Sequence, residues 1–198
     1  SSGFKPAVSR FIEPIARTAA RIGITPDAVT LFGTVGTIAT AIYCYPRGEL
    51  VLGTIVISLF VLSDLFDGAI ARISDRGPST WGAFLDSTCD RLTDSAILAA
   101  LAVYCVIAEN LIFPIVIAAM VTGFLVPYIR AKSESYGISC TVGLAERTER
   151  LILALLAIGL HGLGVPYVLA VGMWALFLVS AFTVMQRVLV VRRGLFNQ

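Results

Sequence analysis

Between Pro26 and Arg193 the chain is a succession of apolar stretches, several close to the roughly 20 residues a helix needs to cross a bilayer. Breaks in this pattern divide it. Thr25-Pro26 reads as a helix start, with Thr as cap and Pro just inside, and the first apolar segment ends near Tyr45-Pro46. A second runs from about Leu50 into Arg72. The polar, Gly- and Pro-containing segment from Ile73 to Ser79 reads as a loop. Further helices are expected over about Thr80 to Ala108, Leu111 to Tyr136, Glu146 to Leu160, and from beyond Pro166 to about Arg193. The expected fold is an all-α integral membrane protein with six transmembrane helices. Of 198 residues, 57% are hydrophobic and 14% charged, against about 25% charged in a soluble domain. No internal repeat or linker divides the chain, so residues 1–198 are expected to form one domain, with the six-helix bundle over 26–193.

Residues 4–21 are different. Lys5, Arg10, Arg17 and Arg21 alternate with Phe11, Ile12, Ile15 and Ala19, a spacing that predicts an amphipathic interfacial helix lying against membrane lipid ahead of the bundle. Fourteen of the 15 Lys and Arg fall in this arm, near residues 72–91, around 130–150, or in 187–193. Six crossings place all of these on one side, leaving Arg47, Glu49, Glu109 and His161 on the other, His161 in a loop. The positive-inside rule then predicts a multi-pass plasma-membrane protein with both termini and the polar end facing the cytoplasm. Cys44, Cys89, Cys105 and Cys140 are scattered and predict neither a disulfide framework nor a zinc site. No nucleic-acid partner is expected.

Asp64, Asp67, Asp86, Asp90 and Asp94 all lie within two of the expected membrane helices. An ionised carboxylate in lipid costs at least ~2.5 kcal/mol, so five of them must face one another, a cation or a wet cavity. Asp64 and Asp67, three apart, share a helix face; Asp86, Asp90 and Asp94, four apart, form a second acidic stripe. A short loop makes the two helices antiparallel neighbours whose acidic faces can converge at the cytoplasmic end. Converging carboxylates need a compensating cation, and an all-oxygen set favours Mg²⁺, Mn²⁺ or Ca²⁺. Pairing of the acids with Arg72 and Arg91 is the structural alternative. Gly68 and Gly82 provide either close helix packing or room for a phosphate-bearing ligand.

In order, these residues read Asp64-x-x-Asp67-Gly68-x-x-Ala71-Arg72, then Gly82-x-x-x-Asp86-x-x-x-Asp90. This resembles the signature of the CDP-alcohol phosphotransferase family. Eight specified positions match by chance with odds on the order of 10⁻⁹. Nine residues separate Arg72 from Gly82, one more than the family's usual spacing. The resemblance implies that Asp64, Asp67, Asp86 and Asp90 hold two divalent cations, Mg²⁺ or Mn²⁺, and that Asp90 also serves as general base. It implies donor contacts from Gly68, Ala71, Arg72, Ser79 and Gly82, with Asp27, Ala28, Val29 and Thr30 at the first helix entry closing over the cytidine. The family is commonly homodimeric.

A second cationic set comprises Arg130, Lys132, Arg147, Arg150 and Arg187. It reads either as cytoplasmic anchors or as a pocket for an acceptor that carries its own phosphate. Cys89-Asp90-Arg91-x-x-Asp94 with Glu146-Arg147-x-x-Glu149-Arg150 is similar to the phosphatidylinositol-phosphate synthases of actinobacteria. That likeness implies transfer from CDP-diacylglycerol to a phosphorylated polyol, inositol 1-phosphate, with release of CMP; Asp94 and Arg91 would orient the polyol or the base. Glycerol 3-phosphate, the acceptor of a phosphatidylglycerophosphate synthase, would need a similar pocket. Intramembrane acids alone would also suit a divalent-cation transporter, which leaves the Gly-x-x-Ala-Arg beside them without a role.

Overall fold

The structure, a computed structural model, describes residues 25–73 and 79–196, with the side chains of 63–73 excepted. The amphipathic segment expected over residues 4–21 lies outside the described residues. Those described form six long helices: α1 (Pro26–Cys44), α2 (Leu50–Ile73), α3 (Thr80–Ile107), α4 (Phe113–Glu134), α5 (Arg147–Gly162) and α6 (Val168–Phe196).

Local chemistry sets the ends of these helices. The Thr25 hydroxyl accepts the Ala28 N–H at 3.3 Å, and Pro26 follows at the first helical position. A short 3-10 turn (Tyr45–Arg47) ends α1, closed by Gly48 at φ 79°, a conformation that favours glycine. Ser79 caps α3, accepting the Gly82 N–H at 2.9 Å. At α5 the Glu146 N–H donates to the Glu149 side chain at 2.9 Å, completing a capping box. His161, expected in a loop, instead occupies the last turn of α5 and hydrogen-bonds Tyr104 of α3 at 3.2 Å.

Helix contacts close a ring: α1 packs on α2 and α3, α3 on α4, α4 on α6, α6 on α5, and α5 back on α2. Inside it, Ile57, Ile97, Leu101, Cys105, Val116, Ile158 and Met173 are fully or almost fully buried. Small residues allow the close approaches: a Cβ on Gly162 would meet Val51 Cγ2 at 2.8 Å and Leu50 Cβ at 2.9 Å.

On α1 the burial pattern is inverted relative to a helix of a soluble bundle. Its buried face is Thr30, Gly33, Thr34, Thr37, Ala41 and Cys44, whereas Leu31, Phe32, Val35 and Ile42 face outward. Small and weakly polar residues between helices with large apolar residues outside is the arrangement a lipid solvent favours. Three helices (Pro26–Arg47, with the 3-10 turn included, Phe113–Glu134 and Val168–Phe196) are long and apolar enough to cross a membrane, and Leu50–Leu62 is a shorter apolar segment. This is a membrane protein. Among the described residues, the other three expected crossings fall short on this measure: α2 offers only Leu50–Leu62, α3 carries Asp86, Asp90, Arg91 and Asp94, and α5 has 16 residues. All four cysteines are free and buried.

Candidate active site

The site is built on the first half of α3. Successive turns of that helix carry Asp86, Asp90 and Asp94, with Cys89 and Thr93 buried beside them against the bundle. Asp86 and Asp90 open into a cleft shared with α1 and α2, lined also by Thr30, Gly33, Thr34, Thr37 and Val61. Val61 precedes Asp64 by three residues on α2, so the second acidic pair of the sequence lies on the next turns of a helix that already walls this cleft. The side chains of Asp64, Asp67, Gly68, Ala71 and Arg72 lie outside the described residues.

Asp90 is a half-buried carboxylate gathering positive charge. Arg147 Nη1 lies 2.8 Å from its Oδ1, and Arg91 Nη1 donates to Oδ2 at 3.3 Å. The same Arg147 grips Asp94 with two more nitrogens: Nη2 donates to Oδ1 at 3.0 Å and Nε to Oδ2 at 3.2 Å. Its Nη2 also reaches the Thr93 hydroxyl at 3.3 Å. A bidentate fork on Asp94 fixes the guanidinium plane, and that plane presents its third nitrogen to Asp90. Of the expected alternatives, Arg91 does pair with Asp90, but the dominant partner comes from α5.

Around the N-termini of α1 and α3 a second group converges. A Cβ on Gly82 would lie 3.1 Å from Ser79 Oγ and 3.4 Å from Asp27 Oδ1, so Asp27, Ser79 and Gly82 are brought together, while Thr30 faces the cleft with the acids. Ala28 is exposed and Val29 half-buried on the same first turns.

The second cationic set divides. Arg150 lines a cavity between α3, α4, α5 and α6 together with Arg91 and Asp94, and its Nη1 is buried without a hydrogen-bond partner. Arg187 is buried on α6, where its Nε donates to the Val142 carbonyl at 2.9 Å and its Nη1 to that of Val126. It ties the segment between α4 and α5 to the bundle, and two of its five N–H groups are thereby used on backbone. Arg130 and Lys132 are exposed on the last turns of α4; Arg130 pairs with Glu134 at 3.0 Å and Lys132 lies over the Tyr136 ring.

A family model for CDP-alcohol phosphatidyltransferases matches residues 23–191. The chain belongs to this family. Among relatives of this phosphatidyltransferase, the phosphatidylinositol phosphate synthase of Streptomyces avermitilis is 45% identical over 194 residues, 93% of this chain and 79% of the relative. That of Mycobacterium tuberculosis is 40% identical over 190 residues, 92% of this chain and 86% of its own. The crystal structure of the M. tuberculosis synthase with CDP-DAG bound superposes with a TM-score of 0.86 at 37% identity, covering 92% of this chain and 94% of the other. A second structure of it, in complex with manganese and citrate, gives 0.84 at 39% identity, covering 91% and 88%.

The donor set offered by the phosphatidyltransferase fits a hard divalent cation. Asp86 and Asp90 both line one cleft, although Arg91 and Arg147 already pair with Asp90 and no third His, Cys, Asp or Glu forms a metal-holding group with them among the described residues. Carboxylate oxygen is the ligand type that Mg²⁺ and Mn²⁺ take.

Proposed function

We propose that this enzyme transfers the phosphatidyl group of CDP-diacylglycerol to a hydroxyl of inositol 1-phosphate, giving phosphatidylinositol phosphate and CMP. One observation carries the reading: α3 edges two differently built spaces, Asp90 lining one and Arg91 and Asp94 the other. On one side is the acidic cleft of α1, α2 and α3; on the other is the cavity edged by Arg91, Asp94 and Arg150. Metal-balanced carboxylates suit a pyrophosphate donor, and arginines suit an acceptor that carries its own phosphate. The manganese- and CDP-DAG-bound structures of the M. tuberculosis synthase support the same assignment.

Asp64, Asp67, Asp86 and Asp90 would hold two divalent cations, which when bound neutralise the pyrophosphate and polarise the phosphorus under attack. The acceptor oxygen forms a bond to the phosphatidyl phosphorus, and the bond from that phosphorus to the oxygen of CMP breaks. Asp90 takes the proton of the attacking hydroxyl. Arg147, fixed by Asp94, orients the Asp90 carboxylate. Gly68, Ala71, Arg72, Ser79 and Gly82 with the Asp27–Thr30 turn form the donor site. Arg150 leads the acceptor set, and Arg147, Arg187, Lys132 and Arg130 surround it at the same end of the bundle. The six helices form one membrane domain, each crossing the bilayer, with this end in the cytoplasm.

CMP release by the purified enzyme with CDP-diacylglycerol and Mn²⁺ or Mg²⁺, comparing inositol 1-phosphate, glycerol 3-phosphate and free inositol, tests the reading. Release that depends on inositol 1-phosphate is expected. Release with glycerol 3-phosphate in its place would keep the chemistry and replace the acceptor.

A further inference from the structure

Ser180 is fully buried on α6, and its hydroxyl has no hydrogen-bond partner. That is unusual for a hydroxyl in an apolar helix, which ordinarily bonds back to its own backbone. Thr34, Thr40, Ser58 and Thr122 each donate to the carbonyl four residues earlier at 2.7 Å, and Thr183, one turn along from Ser180, does so at 2.8 Å. Ser180 instead lines the cavity between α3, α4, α5 and α6, which is lined also by Arg150, whose Nη1 is likewise buried without a partner. An unpaired buried polar group is costly, and native proteins satisfy nearly all of them.

Two further features mark the space as built for a polar occupant. The buried stripe of α6 runs Leu169, Met173, Leu176, then Ser180, Thr183, Arg187; it turns from apolar to polar at the cavity. Gly123 of α4 lines the cavity too, and its carbonyl lacks the usual helical donor because residue 127 is proline. The charged residues of the cavity are Arg91, Asp94 and Arg150, and Ser180 lines it together with Ile97, Leu98 and Leu176.

We propose that Ser180 is a specificity-determining residue for the acceptor: its hydroxyl binds a ring hydroxyl of a phosphorylated polyol whose phosphate is held at Arg150. The inference rests on the phosphorylated-polyol reading of the same site and extends it to the far side of the ring. The chemistry is matched at each end. Arg150 can only donate and therefore takes a phosphate oxygen; a serine hydroxyl both donates and accepts, as does a polyol hydroxyl. An acceptor too short to reach Ser180 leaves that hydroxyl unpaired, and a site built to bond a substrate hydroxyl discriminates against an analogue that lacks it.

The test is steady-state kinetics of the purified full chain and its Ser180→Ala variant, with CDP-diacylglycerol, Mn²⁺ and inositol 1-phosphate. The KM for inositol 1-phosphate rises about three- to tenfold, as loss of one neutral hydrogen bond gives, while the KM for CDP-diacylglycerol stays unchanged. An unmoved acceptor KM means that Ser180 meets only a structural water and overturns the inference. A fall in melting temperature with both KM values shifted together assigns the residue to packing and also overturns it. Wild-type enzyme that releases no CMP with inositol 1-phosphate overturns the acceptor reading itself, and this inference with it.

Discussion

At Asp90 two arginines share one carboxylate, and the geometry separates what each does. Arg91 is its sequence neighbour and reaches one oxygen at 3.3 Å; Arg147 reaches the other at 2.8 Å while bound through two nitrogens to Asp94. Lysine at position 147 keeps the charge but is a point donor on a flexible stem and cannot hold both acids in one plane. Arg147→Lys is therefore expected to lower kcat about ten- to hundredfold, the worth of a charge-assisted hydrogen bond, with little change in the KM for CDP-diacylglycerol. A raised acceptor KM at unchanged kcat would show instead that Arg147 touches the acceptor phosphate. Asp90→Asn keeps the shape and removes the proton acceptor, so turnover is expected to vanish while CDP-lipid binding persists in part. Normal activity in that variant would remove Asp90 as base. Because converging carboxylates need a compensating cation, the proposed metal site of Asp64, Asp67, Asp86 and Asp90 predicts that chelation stops the reaction and added Mn²⁺ or Mg²⁺ restores it. Activity that resists chelator would contradict the metal assignment.

The helices meet through glycine where large residues would hold them apart, and α5 on α2 is the clearest instance. A Cβ on Gly162 would lie 2.8–3.0 Å from Val51 Cγ2, Leu50 Cβ and the Val51 backbone nitrogen; the backbone atom cannot turn aside as a side chain can. Gly162→Ala is expected to destabilise the bundle by about 1–3 kcal/mol, the usual cost of overpacking, read as a lower melting temperature in detergent. The contact is at the opposite end of α5 from Arg147, so the folded fraction should retain its kcat. Such helix contacts were poorly legible in the sequence, although the helices themselves were plain: capping residues and apolar runs placed all six to within a few residues. Spacing along one helix also revealed the Asp86-Asp90-Asp94 stripe. What spacing could not reveal was the partner of that stripe, because Arg147 lies 53 residues from Asp94 and the fold alone joins them. For the same reason Arg187 read as a cytoplasmic anchor or an acceptor-phosphate contact, with no sign in the sequence that two of its donors hold the carbonyls of Val126 and Val142. Ser180 carried no sequence signal at all, since a serine in an apolar helix ordinarily satisfies itself.

Among the described residues, Asp86, Asp90 and Asp94, the arginines other than Arg47, and the N-termini of α1, α3 and α5 gather at one end, and Tyr104, His161 and the 3-10 turn at the other. The orientation proposed from the positive-inside rule puts the arginine-rich end in the cytoplasm, where a nucleotide-activated lipid and a soluble polyol phosphate can both arrive. The segment between α3 and α4 must then face outward, and that between α4 and α5 inward. Because Cys44, Cys89, Cys105 and Cys140 are all buried, the chain gives a quiet background for thiol labelling. Leu111, 94% exposed between α3 and α4, and Ser139, exposed between α4 and α5, are the reporters. A membrane-impermeant maleimide is expected to modify Leu111→Cys in intact cells and Ser139→Cys only after the membrane is opened. The reverse pattern would invert the orientation and put the site outside. Equal labelling of both in intact cells would mean that α4 does not cross, which its 22 residues and apolar composition argue against.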